Sequence, residues 1–600
     1  MIHLGRGKQR KKRAAVREVS LLDQESGTYL KKWTGKLPVA LLYPNKYSVG
    51  VSSLGFQLVY SLLNDPDDLV CERFFLPEDV HSPLRSFESG RGLDEFPLLF
   101  YSISFEHDYV NIARLLLSAG IRLFAESREN GPVSSASPLV IGGGVATFMN
   151  PEPLAPFTDL FLLGEAEGIL PSLLSILLKN LPHMTRAELL LTIQKKVKGA
   201  YVPALYTPRY DESSGRLLTS TAVSGISARV TKVIVPTVKK AAHSQILSPA
   251  AEFSNLYVTE LGRGCSRGCR FCAAGFIYRP PRLWDADAVV KGVEERNAAV
   301  RRIGLLGMEM ADQDELENLS SYLLDSGCSL SFSSLRADRI SGPLLKLLAN
   351  SGLKSVAIAP DGASERLRRV INKNLTESDI LLAAERLAGV GLYKLKLYLM
   401  IGLPTETYQD LEEMLTLIRR VKAVMLPLGR ARGRLCEISL SVNCFAPKPW
   451  TPFQFHPFGG GGAVSEDDNS AAGAVKSLNK KIDFLKKSLR HEANVRMNHD
   501  KPDNVLFQAV LARGDRRLAN VLALMAAKGL PWKQAMRHEG LTSEFYAVHQ
   551  YGVNDYLPWN IIDHSIKQSY LWTEYQKSFQ AETTVPCDTS VCRRCGVCGD

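Results

Sequence analysis

The sequence predicts an α/β protein in which two arrays of alternating strands and helices are followed by a mostly helical region and a short cysteine-rich tail. Three observations predict it. Apolar runs of strand length alternate with longer amphipathic stretches from about residue 37 to 170 and again from 251 to 458, the pattern of parallel strands covered by helices. A chain of 600 residues is also too long for one hydrophobic core, so several domains are expected. Finally, 45% hydrophobic and 22% charged residues is the balance of a globular protein in water. No apolar run reaches the roughly 18 residues that a membrane span requires.

Residues 1–36 form a basic leader whose sharpest feature is Arg6–Arg13, RGKQRKKR. Such a run reads either as a solvated tail or as an arm for an anion such as RNA. It lacks the apolar segment of a signal peptide, so a cytoplasmic location without a membrane partner is expected. Cysteines in that compartment serve as metal ligands or buried thiols more often than as disulfides. The net charge of +11 permits nucleic-acid binding without establishing it.

The first array, 37–170, opens with LPVALLYPNKYSVGVSSLGFQLVY (Leu37–Tyr60), read as a buried strand, a loop and a helix. LLFYSIS (Leu98–Ser104) is a second strand ending in serines, and PLVIGGG a third ending in Gly142, Gly143 and Gly144. Residues 171–250 read as a looser linking region with a helical pattern near Ala187–Val197. In the second array, 251–458, the strands expected are Asn255–Thr259, Arg302–Leu306, Leu330–Phe332, Ser355–Ile358, Lys394–Met400 and Glu437–Val442. Helices such as Ala286–Ala299 and Glu377–Val390 separate them. Four glycines, Gly459–Gly462, open a stretch read as a flexible linker, 459–475. A basic helix, Lys476–Arg490, begins the helical region 476–585, and 586–600 is the tail.

The chemistry is concentrated in ELGRGCSRGCRFCAAG (Glu260–Gly275), which carries Cys265, Cys269 and Cys272. Eleven cysteines scattered at random over the chain give this CxxxCxxC spacing with a probability of roughly 0.004. Three thiolates are one short of a closed zinc site. On a cubane iron–sulfur cluster they leave one iron open to another ligand. Gly264 and Gly268 suit a loop wrapped closely round such a group.

CxxxCxxC with aromatic Phe271 before its last cysteine, following a first strand of a strand–helix array, resembles the radical S-adenosylmethionine (SAM) superfamily. The resemblance implies a partial TIM-type (β/α)6 barrel in which Cys265, Cys269 and Cys272 hold a 4Fe-4S cluster. SAM would chelate the open iron, and its reductive cleavage would yield a 5′-deoxyadenosyl radical that takes hydrogen from a substrate. An electron donor such as flavodoxin or ferredoxin is then implied. Phe271, Gly307 and Glu309 (in LLGMEMAD), and Ser334 and Arg336 (in SSLRADRI), fall where the family contacts SAM, although Met308 replaces a glycine of the Gly307 element. APDGASERLRRVINK (Ala359–Lys373) and YLMIGLPTET (Tyr398–Thr407) follow the next two strands, on the face where a barrel builds its active site.

The N-terminal array resembles the Rossmann-like, cobalamin-binding domain fused to many radical SAM enzymes. That domain's Asp-x-His-x-x-Gly loop corresponds here to Asn45–Gly50, so both the Asp and the cobalt-ligating His are replaced. Tyr47, Gly50, Ser102, Gly143 and Gly144 remain where the resemblance implies cobalamin contacts. Two alternatives follow: cobalamin without a protein imidazole, or a retained fold without the cofactor. With cobalamin, methyl transfer to an unactivated carbon is expected. Without it, the alternatives are a radical modification such as sulfur insertion into RNA, or a non-catalytic metal- and RNA-binding protein.

The tail, CDTSVCRRCGVCGD, holds Cys587, Cys592, Cys595 and Cys598, enough thiolates for a closed site. That site is either an auxiliary iron–sulfur cluster or a structural zinc. Arg513, Arg516 and Arg517 sit at the start of an amphipathic helix and read as a solvated basic face or a phosphate contact. Cys71, Cys328, Cys436 and Cys444 read as buried thiols.

Overall fold

A computed structural model describes residues 21–79, 82–307, 313–460 and 470–599. The basic run Arg6–Arg13 lies outside the described residues.

In the first array, β1 (Leu37–Tyr43), β2 (Leu69–Phe75), β3 (Leu98–Ser102), β4 (Leu139–Gly143) and β5 (Leu160–Leu162) run parallel in the order β2-β1-β3-β4-β5. Leu41, Phe100 and Ile141 are buried because helices cover both faces, which is why these strands read as continuous apolar runs. The stretch read as a looser linker adds to this unit. Helices α1 (Ala166–Asn180) and α2 (Arg186–Lys196) lead into β6 (Ala200–Tyr201), which pairs antiparallel with β5 and completes a six-stranded sheet. Thr185 caps α2 through a reciprocal bond with Glu188.

The second array supplies β7 (Tyr257–Glu260), β8 (Arg302–Leu306) and β9 (Ser329–Phe332), hydrogen-bonded in parallel. Then come β10 (Ser355–Asp361), β11 (Lys394–Ile401) and β12 (Glu437–Cys444), also parallel. A bridge from Leu335 to Ile358, with the Leu335 amide on the Ala357 carbonyl at 2.8 Å, joins the two groups into one curved wall. Strands β11 and β12 alternate buried and half-buried residues along their length, as expected for a wall with a core face and a helix-covered face. A seventh parallel strand, β13 (Val495–His499), extends the wall from within the region read as helical.

Gly459 and Gly460, which open the stretch read as a linker, are both buried, with φ of +93° and +85°, against Ala474 and Gly402 respectively. The following helix starts at Ala471, capped by Ser470, and runs to Leu489. Residues 461–469 lie outside the described residues. No helix among the described residues is long and apolar enough to cross a membrane.

Candidate metal centre

The cysteine loop begins where β7 ends and is pinned at its neck. Gly262–Arg263 pairs antiparallel with Arg282–Leu283, and the Leu261 amide donates to the Leu306 carbonyl at 2.8 Å. Gly264 (φ +93°) passes so close to Tyr278 that a Cβ would stand 2.8 Å from its carbonyl oxygen. Cys269 is buried, and Cys265 and Cys272 are half-buried. Burial pushes the Cys269 thiol up to about 12 and raises that of Cys272, and neighbouring cysteines add to both shifts. Thiols so placed stay protonated until a metal displaces the proton.

The neck is held from the N-terminal domain. Glu165 and Glu167, in the stretch LGEAEG, reach Arg263 at 3.2 and 2.6 Å, and Glu165 also grips Arg282 at 2.6 Å. Glu260 accepts from Arg263 at 2.9 Å and from the Trp284 indole at 3.0 Å. Burial opposes ionisation of Glu165, but the two guanidiniums win and hold its carboxyl below the ordinary range. Sequence reasoning missed this role; the signal available was two acidic residues after a strand facing no local cation.

The body of the loop is held from the barrel. The Arg270 amide donates to the Ile371 carbonyl at 3.0 Å, and its buried guanidinium reaches the Val370 carbonyl at 2.8 Å and Glu574 at 3.1 Å. Asn372 (φ +56°) donates its side-chain amide to the carbonyls of Arg267 and Gly268, at 3.3 and 3.2 Å.

At the strand ends, Arg336 is buried, bonded to Asp338 at 2.8 Å and to the Lys373 carbonyl at 2.9 Å. Lys373 pairs with Asp361 at 2.8 Å, close enough to Cys269 for the thiol to feel its charge. Burial lowers the Lys373 ammonium, but Asp361 overrides that and holds it charged. A fixed cation beside the cysteines favours thiolate ligands and an anionic cluster. The three thiols, the positive-φ glycines and this cation together fit a cluster. Gly307 (φ +89°) stands beside Gly262, where a Cβ would lie 3.2 Å from the Gly262 carbonyl oxygen. Phe271 and Ser334 are half-buried, Phe271 packing on the central core. Glu309 lies outside the described residues.

Residues 259–418 match the model of the radical SAM superfamily, and residues 55–203 match that for the N-terminal part of radical SAM proteins, together just over half of the chain. The chain belongs to the radical SAM superfamily. An uncharacterized protein of Methanocaldococcus jannaschii is 29% identical over 489 residues, covering 81% of this chain and 90% of that one. Among solved structures, the radical SAM methyltransferase TsrM of Kitasatospora setae, with cobalamin and a 4Fe-4S cluster bound, aligns at a TM-score of 0.48 with 13% identity. The match covers 84% of this chain and 99% of TsrM. The cobalamin-dependent radical enzyme OxsB with aqua-cobalamin aligns at 0.42 with 16% identity, over 65% of this chain and 53% of OxsB.

Tyr47, Gly50 and Gly144, three of the residues expected to contact cobalamin in this radical SAM protein, are packed against the protein's own atoms. The Tyr47 hydroxyl donates to Glu25 at 2.6 Å and its ring stacks on Phe87 at 4.8 Å. A Cβ on Gly50 would strike the Phe75 ring, one on Gly142 the Tyr101 hydroxyl, and one on Gly144 (φ +99°) the Ile103 backbone. Gly143 and half-buried Ser102 pair in register between β4 and β3. The loop's Asn45 is bonded to Asp108 at 3.0 Å, and His107, just past β3, is bonded to the Asn504 carbonyl. No imidazole stands in the loop, so cobalamin held here would have no protein ligand to cobalt, and a Cβ on Gly143 would meet nothing nearer than the Tyr101 carbonyl oxygen at 3.9 Å.

Cys587, Cys592 and Cys598 are half-buried and Cys595 is buried, and the Cys592 sulfur accepts from the Arg594 guanidinium at 3.2 Å. Among the described residues, no three His, Cys, Asp or Glu side chains are gathered round one ion, as a mononuclear zinc site requires, whereas the thiolates of a cluster bind separate irons and share no single position. Cys71, Cys328, Cys436 and Cys444 are all buried. The three arginines Arg513, Arg516 and Arg517 are not a free basic face. Arg513 is fully buried over Tyr551, Arg516 bonds Glu152 at 2.7 Å, and Arg517 bonds Asp515 at 2.6 Å.

Proposed function

We propose that this protein holds a 4Fe-4S cluster at Cys265, Cys269 and Cys272 and uses it to cleave SAM reductively, for radical modification of a substrate. The observation that carries this is the three-thiol loop, with positive-φ glycines at 264 and 268, closed round a face that carries the Lys373 cation. Bound there, the cluster supplies the electron that breaks a carbon–sulfur bond of SAM, giving the 5′-deoxyadenosyl radical that takes a hydrogen atom from substrate.

The chain's own residues do the holding. Three thiolates leave the open coordination position for SAM. Lys373 sets the local charge, while Arg336 ties the end of β9 to the Lys373 backbone. The Glu165–Arg263–Arg282 network keeps the loop's two ends together. Methyl transfer through cobalamin draws support from the resemblance of the N-terminal domain. Because Tyr47, Gly50 and Gly144 are packed against the protein's own atoms and the loop has no imidazole, no step is routed through cobalamin, and the alternative favoured is a cobalamin-independent modification.

The test is anaerobic reconstitution with iron and sulfide, reduction with dithionite, and detection of 5′-deoxyadenosine from SAM. Product is expected from the unaltered protein and none from Cys269→Ala. No product from unaltered protein carrying a full cluster overturns the proposal.

A further inference from the structure

We infer that the four cysteines of the tail hold a second iron–sulfur cluster, closed by its own ligands, which passes single electrons to the centre at Cys265, Cys269 and Cys272. The inference rests on the function proposed above and assigns the electron's route.

The placement of the tail carries it. After helix α3 (Gln568–Phe579) the chain turns back and meets the cysteine loop. The Cys587 amide donates to the Ser266 carbonyl at 2.7 Å, and Ser266 follows Cys265 directly. One hydrogen bond therefore joins the backbone of a tail ligand to the backbone beside a loop ligand. The Thr584 amide donates to the Asn372 side chain at 2.8 Å, the same side chain that holds the carbonyls of Arg267 and Gly268. Arg270, between two loop cysteines, reaches the Glu582 carbonyl at 2.8 Å. A tail whose only task was to bind metal would not need two anchors on the other metal's loop and a third on Asn372, the residue that holds that loop.

The tail sulfurs also have cationic partners suited to an anionic cluster. The Arg594 guanidinium donates to the Cys592 sulfur at 3.2 Å, and Arg279, at the far end of the cysteine loop, lies beside Cys595. Hydrogen bonds to ligand sulfur and nearby positive charge raise a cluster's potential. On the opposite side the tail faces solvent, where Val591 is 74% exposed and Arg593 is exposed. One face can meet a donor while the other touches the loop.

The electron count closes without bond changes in the relay. A low-potential one-electron donor protein of the ferredoxin or flavodoxin class is oxidised by one electron, and the tail cluster is reduced and then reoxidised. The loop cluster gains the electron that cleaves SAM.

The experiment uses the full chain, reconstituted anaerobically, beside Cys595→Ser and Cys598→Ser. Cys598 is half-buried, so its replacement leaves the packing of buried Cys595 in place. Iron per chain should fall by about half in each variant. Electron paramagnetic resonance of the reduced protein should show two signals, one of which responds to SAM, and each variant should lose the other. The ratio of the SAM-cleavage rate with reduced flavodoxin to that with dithionite should fall about ten-fold. Zinc in place of iron at the tail, undiminished iron in both variants, or an unchanged rate ratio overturns the relay. Retention of the SAM-responsive signal shows that the loop has folded in each variant. Two iron centres with no 5′-deoxyadenosine would overturn the function proposed above and leave the tail cluster standing.

Discussion

Replacing Glu165 tests whether the N-terminal domain holds the cluster loop. Its carboxylate is buried at the meeting of two guanidiniums and accepts the Val235 amide at 2.7 Å. In Glu165→Ala, Arg263 keeps Glu167 at 2.6 Å and Glu260 at 2.9 Å, so its loss is partial. Arg282 keeps the Pro280 and Val235 carbonyls and the Trp284 ring face, and becomes a largely buried cation without a counter-charge. Breaking one partner of a buried pair costs about 3–5 kcal/mol, and the partial compensation places this substitution near the lower figure, about 3 kcal/mol. If the loss falls on a cooperative unit of about 200 residues, the melting temperature should drop by roughly 6–12 °C. Glu165→Gln keeps a neutral acceptor and should lose about half as much. The assay pairs anaerobic thermal unfolding with iron content after reconstitution. Both should fall together, since the neck that fails is the neck of the loop. Stability and iron content within error of the unaltered protein in Glu165→Ala would refute the reasoning.

Four further outcomes are expected. Gly144→Ala should cost about 3 kcal/mol, because φ of +99° is strained for alanine and its Cβ would overlap the Ile103 backbone; a neutral denaturation midpoint would mean that the glycine run leaves open space. Protein isolated from cells supplied with hydroxocobalamin should carry no cobalamin absorption band, and a stoichiometric band would reverse the reading of the N-terminal domain. Asn372→Gly keeps the positive-φ backbone and removes only the side chain, so it should cost about 1–3 kcal/mol and speed bleaching of the reconstituted cluster in air, a rate read by visible absorbance. Burial raises Asp108 from 3.8 to about 6. The folded state therefore holds its proton more tightly than the unfolded state, and this stabilising contribution, complete below about pH 4, is lost as pH rises to about 6. Asp108→Asn should gain melting temperature relative to the unaltered protein across that window, and a constant difference would refute the assignment.

What the sequence revealed follows from the range of each interaction. The strand Arg302–Leu306 is bounded in the structure as the apolar run bounded it, because a parallel strand buried on both faces writes its own pattern. Asn255 falls outside its expected strand because it adopts φ of +53°. Helix α1 was hidden by Pro171 within it, and β13 by its half-exposed alternation at the edge of the wall. The three loop cysteines were legible because cluster ligands lie within eight residues. Arg513, Arg516 and Arg517 were misread because their partners, Tyr551, Glu152 and Asp515, are chosen by tertiary contacts that periodicity does not record.

The same distinction explains the N-terminal domain. Its glycines suggested a cofactor, yet each tight approach at Gly50, Gly142 and Gly144 is to the protein's own atoms. Its acidic pair at 165 and 167 suggested nothing, yet it meets the charge of the loop that carries the chemistry. Gly164 (φ +126°) lies against the Val233 backbone, and Glu165 bonds the chain again two residues later at Val235. That backbone path fixes the direction in which Glu165 points, toward Arg263 and Arg282. A domain that had merely kept its fold after losing a cofactor would have no reason to place two carboxylates on the neck of another domain's metal loop. Those carboxylates give the N-terminal domain a mechanical role in positioning the cysteines, with or without a cofactor of its own.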